Sequence, residues 1–356
     1  MKSSENFYPS TLDVAGTFTS SLGREAIILH ARNVDGASED TRPVYFHGGY
    51  GVNCSDYLQY IAEQYGRSAF SVIYETGRPR DTAYWFGNPK DERGDSRLVP
   101  REKVRRMASS FSGPIIAKSQ IDLAADILRA MDTLGAEEAD AIGQSVGALR
   151  VELAAHEAPH RVRSIVKAYP AGAIKPDPRR IVKSSLRYAK AWRSHLKIVN
   201  EDTLGRALCA PRTLFSQLKP PRDVLTEGET VLLSHQSDIL HSLRAQENAP
   251  AVALVAGEND FLFSPERILE SLRAPTDIDV MYVTPGLHAI GRRKEVMDKV
   301  MSLLSGSSAE NSAMLNANNK AGASFAERLI LDPKVTSRRA LEIRNSARQR
   351  DNGINI

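Results

Sequence analysis

Six short runs of apolar residues, each separated from the next by a stretch of helical character, limit what this chain can fold into. They are Pro43–Phe46, Ala69–Tyr74, Ala139–Ile142, Ser164–Ala168, Pro250–Ala256 and Ile278–Val283. A strand that is apolar at nearly every position has no solvent face, so it must be buried on both sides. Strands of that kind alternating with helices predict the α/β class, with a mostly parallel central sheet and helices on both faces. Residues Thr11–Val34 differ: they alternate in polarity around a Ser21-Leu22-Gly23 turn and read as a hairpin. Ser55 opens a helix that Gly66 ends. Ile121, Leu123, Ala124, Ile127, Leu128 and Met131 form a helical stripe, and no internal repeat is apparent. Residues 76–112 are polar and rich in Gly and Pro, and they are expected to form a long loop or irregular insert.

Size and composition exclude several classes. The chain has 356 residues, 42% hydrophobic and 25% charged, enough for one large domain with insertions or two modest ones. No run approaches the roughly 18 apolar residues a membrane-spanning helix needs. Residues Met1–Asn6 are not followed by an apolar leader core, so a cytoplasmic protein is expected. Cys54 and Cys209 match no metal or redox spacing and read as two reduced thiols.

The strand Ala139–Ile142 runs into Gly143-Gln144-Ser145-Val146-Gly147, and helical residues follow to Ala158. A serine between two glycines at a strand-to-helix junction is the sequence of a nucleophile elbow. The turn is too tight for flanking side chains and pushes the central hydroxyl outward. Ser145 could then attack a carbonyl once a base removes its proton. Three other places supply groups such chemistry needs. His47-Gly48-Gly49-Tyr50-Gly51 follows the strand Pro43–Phe46, Gly257-Glu258-Asn259-Asp260 ends the strand before it, and His288 stands between the last strand and the final helix.

On these residues the chain resembles the α/β-hydrolase superfamily over roughly residues 11–305, apart from a lid. The resemblance implies a doubly covered sheet with an inserted helical cap, and a nucleophile, acid and histidine in that chain order. It assigns Ser145 as nucleophile, His288 as general base and Asp260 as the carboxylate that orients the imidazole, with Glu258 the nearby alternative acid. It assigns the backbone N–H of Val146 as one oxyanion donor and that of Gly49 or Tyr50 as the second, Gly49 being preferred. His47 and Gly48 then support that loop. The implied activity is hydrolysis of a carboxylic ester, thioester or amide on a small acyl substrate, without metal or cofactor. An acyltransferase or serine peptidase would use the same residues, and a ligand receptor could use the same scaffold.

One pattern is set aside. His156-Glu157-Ala158-Pro159-His160 has the letters of a zinc-protease helix, but Pro159 breaks the helix that would put both histidines on one face. The domain reading is therefore residues 1–171 and 248–305 as the core, 172–247 as a helical lid, and 306–356 as a basic tail expected to be disordered. Thr336–Arg350 could form a helix within that tail. Between Arg161 and Arg222 fifteen Lys or Arg face three acids, Asp177, Glu201 and Asp202. Asp177-Pro178 starts a helix there. Its apolar stripe, Val182, Leu186, Ala189, Trp192, Leu196 and Val199, is expected to pack on the pocket with its cations solvated. An anionic membrane surface or an acidic substrate is the alternative partner for those cations, and no nucleic acid is expected.

Overall fold

The structure is a computed structural model. It describes residues 10–33, 42–48, 54–74, 83–87, 96–108, 110–111, 113–171, 236–260, 263–286, 294–305 and 323–353. A nine-stranded sheet runs in the order β1-β2-β4-β3-β8-β9-β10-β11-β12. The hairpin of β1 (Ser10–Thr19) and β2 (Glu25–Asn33) is antiparallel and docks antiparallel on β4 (Ala69–Tyr74). From β4 onward all neighbours are parallel: β3 (Val44–His47), β8 (Ala139–Gln144), β9 (Val162–Ala168), β10 (Ala251–Gly257), β11 (Val280–Thr284) and β12 (Leu329–Leu331). The six apolar runs account for the six central parallel strands.

Because side chains alternate across a strand, each central strand feeds two cores. Tyr45, Ala141, Ile165 and Leu254 face one. It is covered by α3 (Lys118–Leu134), α4 (Val146–Glu157), α5 (Gln236–Arg244) and α6 (Pro265–Ser271). Phe46, Ile142, Val166 and Val255 face the other, under α1 (Cys54–Tyr65) and α7 (Lys294–Ser305). The sheet is covered on both faces, as expected.

The structure departs from the sequence reading in three places. The first lies in residues 76–112. There β5 (Ala83–Phe86) pairs antiparallel with β6 (Arg97–Pro100) and with β7 (Ile115–Ala117), and α2 (Arg101–Ala108) lies beside them. This small sheet has its own core of Tyr84, Phe86, Val99, Val104 and Ile115, with Phe111 edge-on to Phe86 at 5.1 Å.

The second concerns the end of the expected lid. Residues 172–235 lie outside the described residues, but α5 belongs to the main core, where Ile239, Leu240 and Leu243 are buried. The third is a correction. The 306–356 segment is not a disordered tail over 323–353. It adds β12 to the sheet edge and α8 (Ser337–Asp351) to the core, burying Phe325, Val335, Ile343 and Ala347. Four apolar side chains distributed over the turns on either side of β12 and one helix face are enough to dock a segment whose composition is otherwise polar.

Helix α4 stops at Glu157, where Ala158 leaves helical geometry, so His156 and His160 share no helical face. His156 instead sits buried with its Nε2 3.2 Å from Ser242 Oγ on α5. Among the described residues, no helix is long and apolar enough to cross a membrane.

Candidate active site

Ser145 is the one residue between the end of β8 and the start of α4. Its backbone has φ 55° and ψ −119°, a conformation that L-residues seldom adopt. Such strain costs on the order of 1–3 kcal/mol and persists only where its surroundings over-determine it. Here they do. The Ser145 N–H donates to the Ala168 carbonyl at 2.9 Å, and the Ser145 carbonyl accepts from Ala148 and Ala171 N–H at 3.1 and 3.2 Å. The flanking glycines are sterically required. A Cβ on Gly143 would lie 2.4 Å from the Gly147 carbonyl oxygen, and one on Gly147 would lie 2.6 Å from that of His47. Val146 opens α4, so its N–H belongs to the first turn, whose N–H groups have no intrahelical acceptor and favour negative charge.

The close approach at Gly147 brings the end of β3 against this helix start. His47 pairs with Gly143 across the parallel β3–β8 ladder. Its side chain is buried, with Nδ1 2.9 Å from the Tyr45 hydroxyl and Nε2 in contact with Arg150 Nη1. Arg150 lies on α4 and also donates from Nε to Gln120 Oε1 at 2.9 Å. Arginine only donates, so Nε2 is the acceptor and the ring proton sits on Nδ1, directed at Tyr45. Burial first, and the Arg150 cation second, hold the His47 imidazole well below its ordinary range. Burial likewise pushes the Tyr45 hydroxyl up, so both groups stay neutral. A neutral, doubly held imidazole fixes the end of β3 against the start of α4. Gly49 and Tyr50 lie outside the described residues.

Strands β8, β9 and β10 are parallel and in step, so they end on the same edge of the sheet. The end of β10 is two strand spacings, about 10 Å, from that of β8. There Asp260 is buried, its own N–H donating to Gly257 O at 3.1 Å and its Oδ1 accepting the Phe263 N–H at 2.9 Å. Glu258 is committed elsewhere: its Oε2 accepts from Thr336 N–H at 3.0 Å and Thr336 Oγ1 at 3.3 Å. The turn is tied to the strand beside it, because Glu258 and Asn259 N–H donate to Thr284 O and Gly286 O. Gly286 leads towards His288, which lies outside the described residues.

Two solved structures of similar architecture place the chain. A carboxylesterase from the thaumarchaeon Nitrososphaera gargenis matches at TM-score 0.50 and 16% identity, over 82% of this chain and 98% of its own. An enol-lactonase from Burkholderia xenovorans LB400 matches at 0.50 and 13% identity, over 82% of this chain and 100% of its own. This is the α/β-hydrolase fold. No family profile matches the sequence, and no curated protein does.

Within the α/β-hydrolase fold, the described residues bring Ser145, Val146, His47, Gly48 and Asp260 to one sheet edge. Several residues there carried no signal in the sequence. Arg150 is one, five residues past Ser145. Tyr169 is another, buried at φ 51° just after β9, with its hydroxyl 2.9 Å from Thr284 Oγ1. It spans from the end of β9 to that of β11, past the end of β10 that leads to Asp260. A tyrosine followed by a proline after an apolar strand is too common to single out from one sequence.

Proposed function

We propose that this chain is a serine hydrolase that cleaves a carboxylic ester, or a related thioester or amide, through an acyl-enzyme on Ser145. The observation that carries the reading is the strained, glycine-flanked Ser145 backbone between β8 and α4. A serine held in an unfavourable conformation by three backbone hydrogen bonds is costly for the fold and is explained by the need to present its hydroxyl. The fold is also one on which a carboxylesterase and an enol-lactonase are built.

In this reading Ser145 Oγ attacks the acyl carbon while His288 takes its proton. Asp260 holds the imidazole in the required tautomer and stabilises its cation. The Val146 N–H and the Gly49 or Tyr50 N–H receive the oxyanion. One such donor is typically worth about 3–4 kcal/mol in the transition state. Collapse expels the alcohol, thiol or amine, which receives the proton from His288. Water, activated by the same histidine, then releases the acid and restores Ser145.

A fluorophosphonate probe should label the wild type and fail to label Ser145→Ala, whose circular dichroism stays native. Hydrolysis across p-nitrophenyl esters of increasing chain length, with Ser145→Ala as blank, should give one preferred length. Asp260→Asn should lower kcat by on the order of 10³- to 10⁴-fold, whereas Glu258→Gln should leave it within a few-fold. Labelling that persists in Ser145→Ala would refute the nucleophile. A flat, negligible ester profile with intact labelling would move the activity to acyl transfer or peptide cleavage.

A further inference from the structure

We propose that the C-terminal segment 323–353 is a positioning element of the active site, acting through Arg339 on the turn that carries Asp260. The inference rests on the reading of Asp260 as the triad acid. Arg339 lies on α8, and its Nε and Nη2 donate to the Glu258 backbone carbonyl at 3.0 and 2.8 Å. The same guanidinium pairs through Nη1 with Glu266 on α6 at 2.7 Å and with Glu342 on α8 at 2.6 Å. Glu258 precedes Asp260 by two residues and Glu266 follows it by six, so one planar, rigid fork grips the chain on both sides of the acid.

The turn answers in kind. Thr336 is the N-cap residue of α8, and its own side chain makes no capping bond. The Glu258 carboxylate caps instead, accepting the Thr336 N–H, and so places a negative charge at the positive end of the helix. The same segment holds the neighbouring strand. β12 pairs with β11 from Met281–Leu329 to Val283–Leu331, Asp332 N–H donates to Val283 O at 2.9 Å, and the Tyr282 hydroxyl donates to Asp332 Oδ2 at 2.6 Å. Strand β11 precedes His288 in the chain, which lies outside the described residues. The segment therefore bridges the two places from which an acid and a histidine must meet in hydrogen-bond register. A displacement of about 1 Å in such a register costs on the order of 10² in rate.

The test uses the full chain and two readouts, p-nitrophenyl butyrate kinetics and amide hydrogen exchange. Arg339→Met should lower kcat tenfold or more with KM within twofold. It should also speed exchange of the Glu258, Asn259 and Asp260 amides at least tenfold, while β8 and β9 stay protected. Arg338→Met is the control: that side chain is 89% exposed and, among the described residues, pairs with Glu342 alone, so both readouts should match wild type. Arg339→Lys, which keeps the charge but not the fork, should fall between. If Arg339→Met does not fold, Thr336→Val, which weakens only the hold on the Glu258 carboxylate, carries the same readouts with smaller effects. Unchanged protection at 258–260 overturns the clamp whatever the activity. Faster exchange there with unchanged kcat overturns its catalytic consequence. A wild type that neither hydrolyses esters nor takes the fluorophosphonate label overturns the hydrolase reading instead, and exchange alone then decides the clamp.

Discussion

At Ser145 the geometry is set by neighbours, and the same is true of His47, whose two ring nitrogens are both spoken for. Arg150 can only donate, so it dictates the tautomer, and burial beside that cation keeps the ring neutral. This has a consequence for stability. In the unfolded chain His47 takes up a proton below its ordinary value of about 6.5, whereas the folded protein does not until the pH is far lower. The unfolded state therefore binds more protons in that window, and folding stability falls as the pH drops below about 6.5. The slope for one such group approaches 1.4 kcal/mol per pH unit. His30 is also held low, by burial and then Arg32, and adds in the same direction. In His47→Gln, whose amide can still face Arg150 and Tyr45, urea denaturation at pH 7, 6 and 5 should show a shallower acid decline. An unaltered slope would mean that His47 is protonated in the fold. The glycines around Ser145 were legible because sterics leave little choice at an elbow. Arg150 was not, since a basic residue on a helix ordinarily faces solvent, and only the tertiary fold turns it inward.

The elements repeat this division. Runs such as Pro250–Ala256 were readable because a strand apolar on both faces has few other destinations. β5, β6, β7 and β12 are three or four residues long, too short to display a period, and they pair only because packing around Tyr84 or Phe325 holds them. One strand that the apolar runs foretold also carries a charge, in β9. Lys167 sits in a strand buried on both faces and is itself buried, paired with Glu152 of α4, which is fully buried. Burial pushes the Glu152 carboxyl up even against the pull of Lys167. A pair like this joins helix to sheet without adding much net stability, because desolvation offsets most of the attraction. Lys167→Met alone strands a carboxylate in the core and should cost about 3–5 kcal/mol. Lys167→Met with Glu152→Leu should recover most of that loss. Equilibrium urea unfolding of the two singles and the double decides the matter: a double variant no better than the worse single would show that the pair is net stabilising.

For the whole molecule, the parallel sheet and its doubly covered faces follow from the apolar runs, but its extent does not. The polar stretch after Gly306 hides the return of the chain to the sheet edge. Phe325, Val335 and Ile343 are nearly fully withdrawn from solvent, and they rest on the core shared by α4, α5 and α6. Burying a side chain of that size contributes roughly 1.5–3 kcal/mol. Three of them approach the roughly 5–15 kcal/mol by which a whole domain is stable. Ending the chain after Ser305 would also expose the β11 edge, a row of unpaired backbone groups that invites association. The truncated protein should therefore lose a cooperative thermal transition or melt at least 10 °C lower, with more aggregation in light scattering. The chain rejoined at Ile356 but carrying Phe325→Ala should lie between, because one cavity costs about 3–5 kcal/mol rather than the entire contact. A truncated chain that melts cooperatively within two or three degrees of the full one would make the segment an accessory resting on a finished fold. Its hold on Glu258 and β11 argues for the opposite order: the sheet is complete only when its last strand returns.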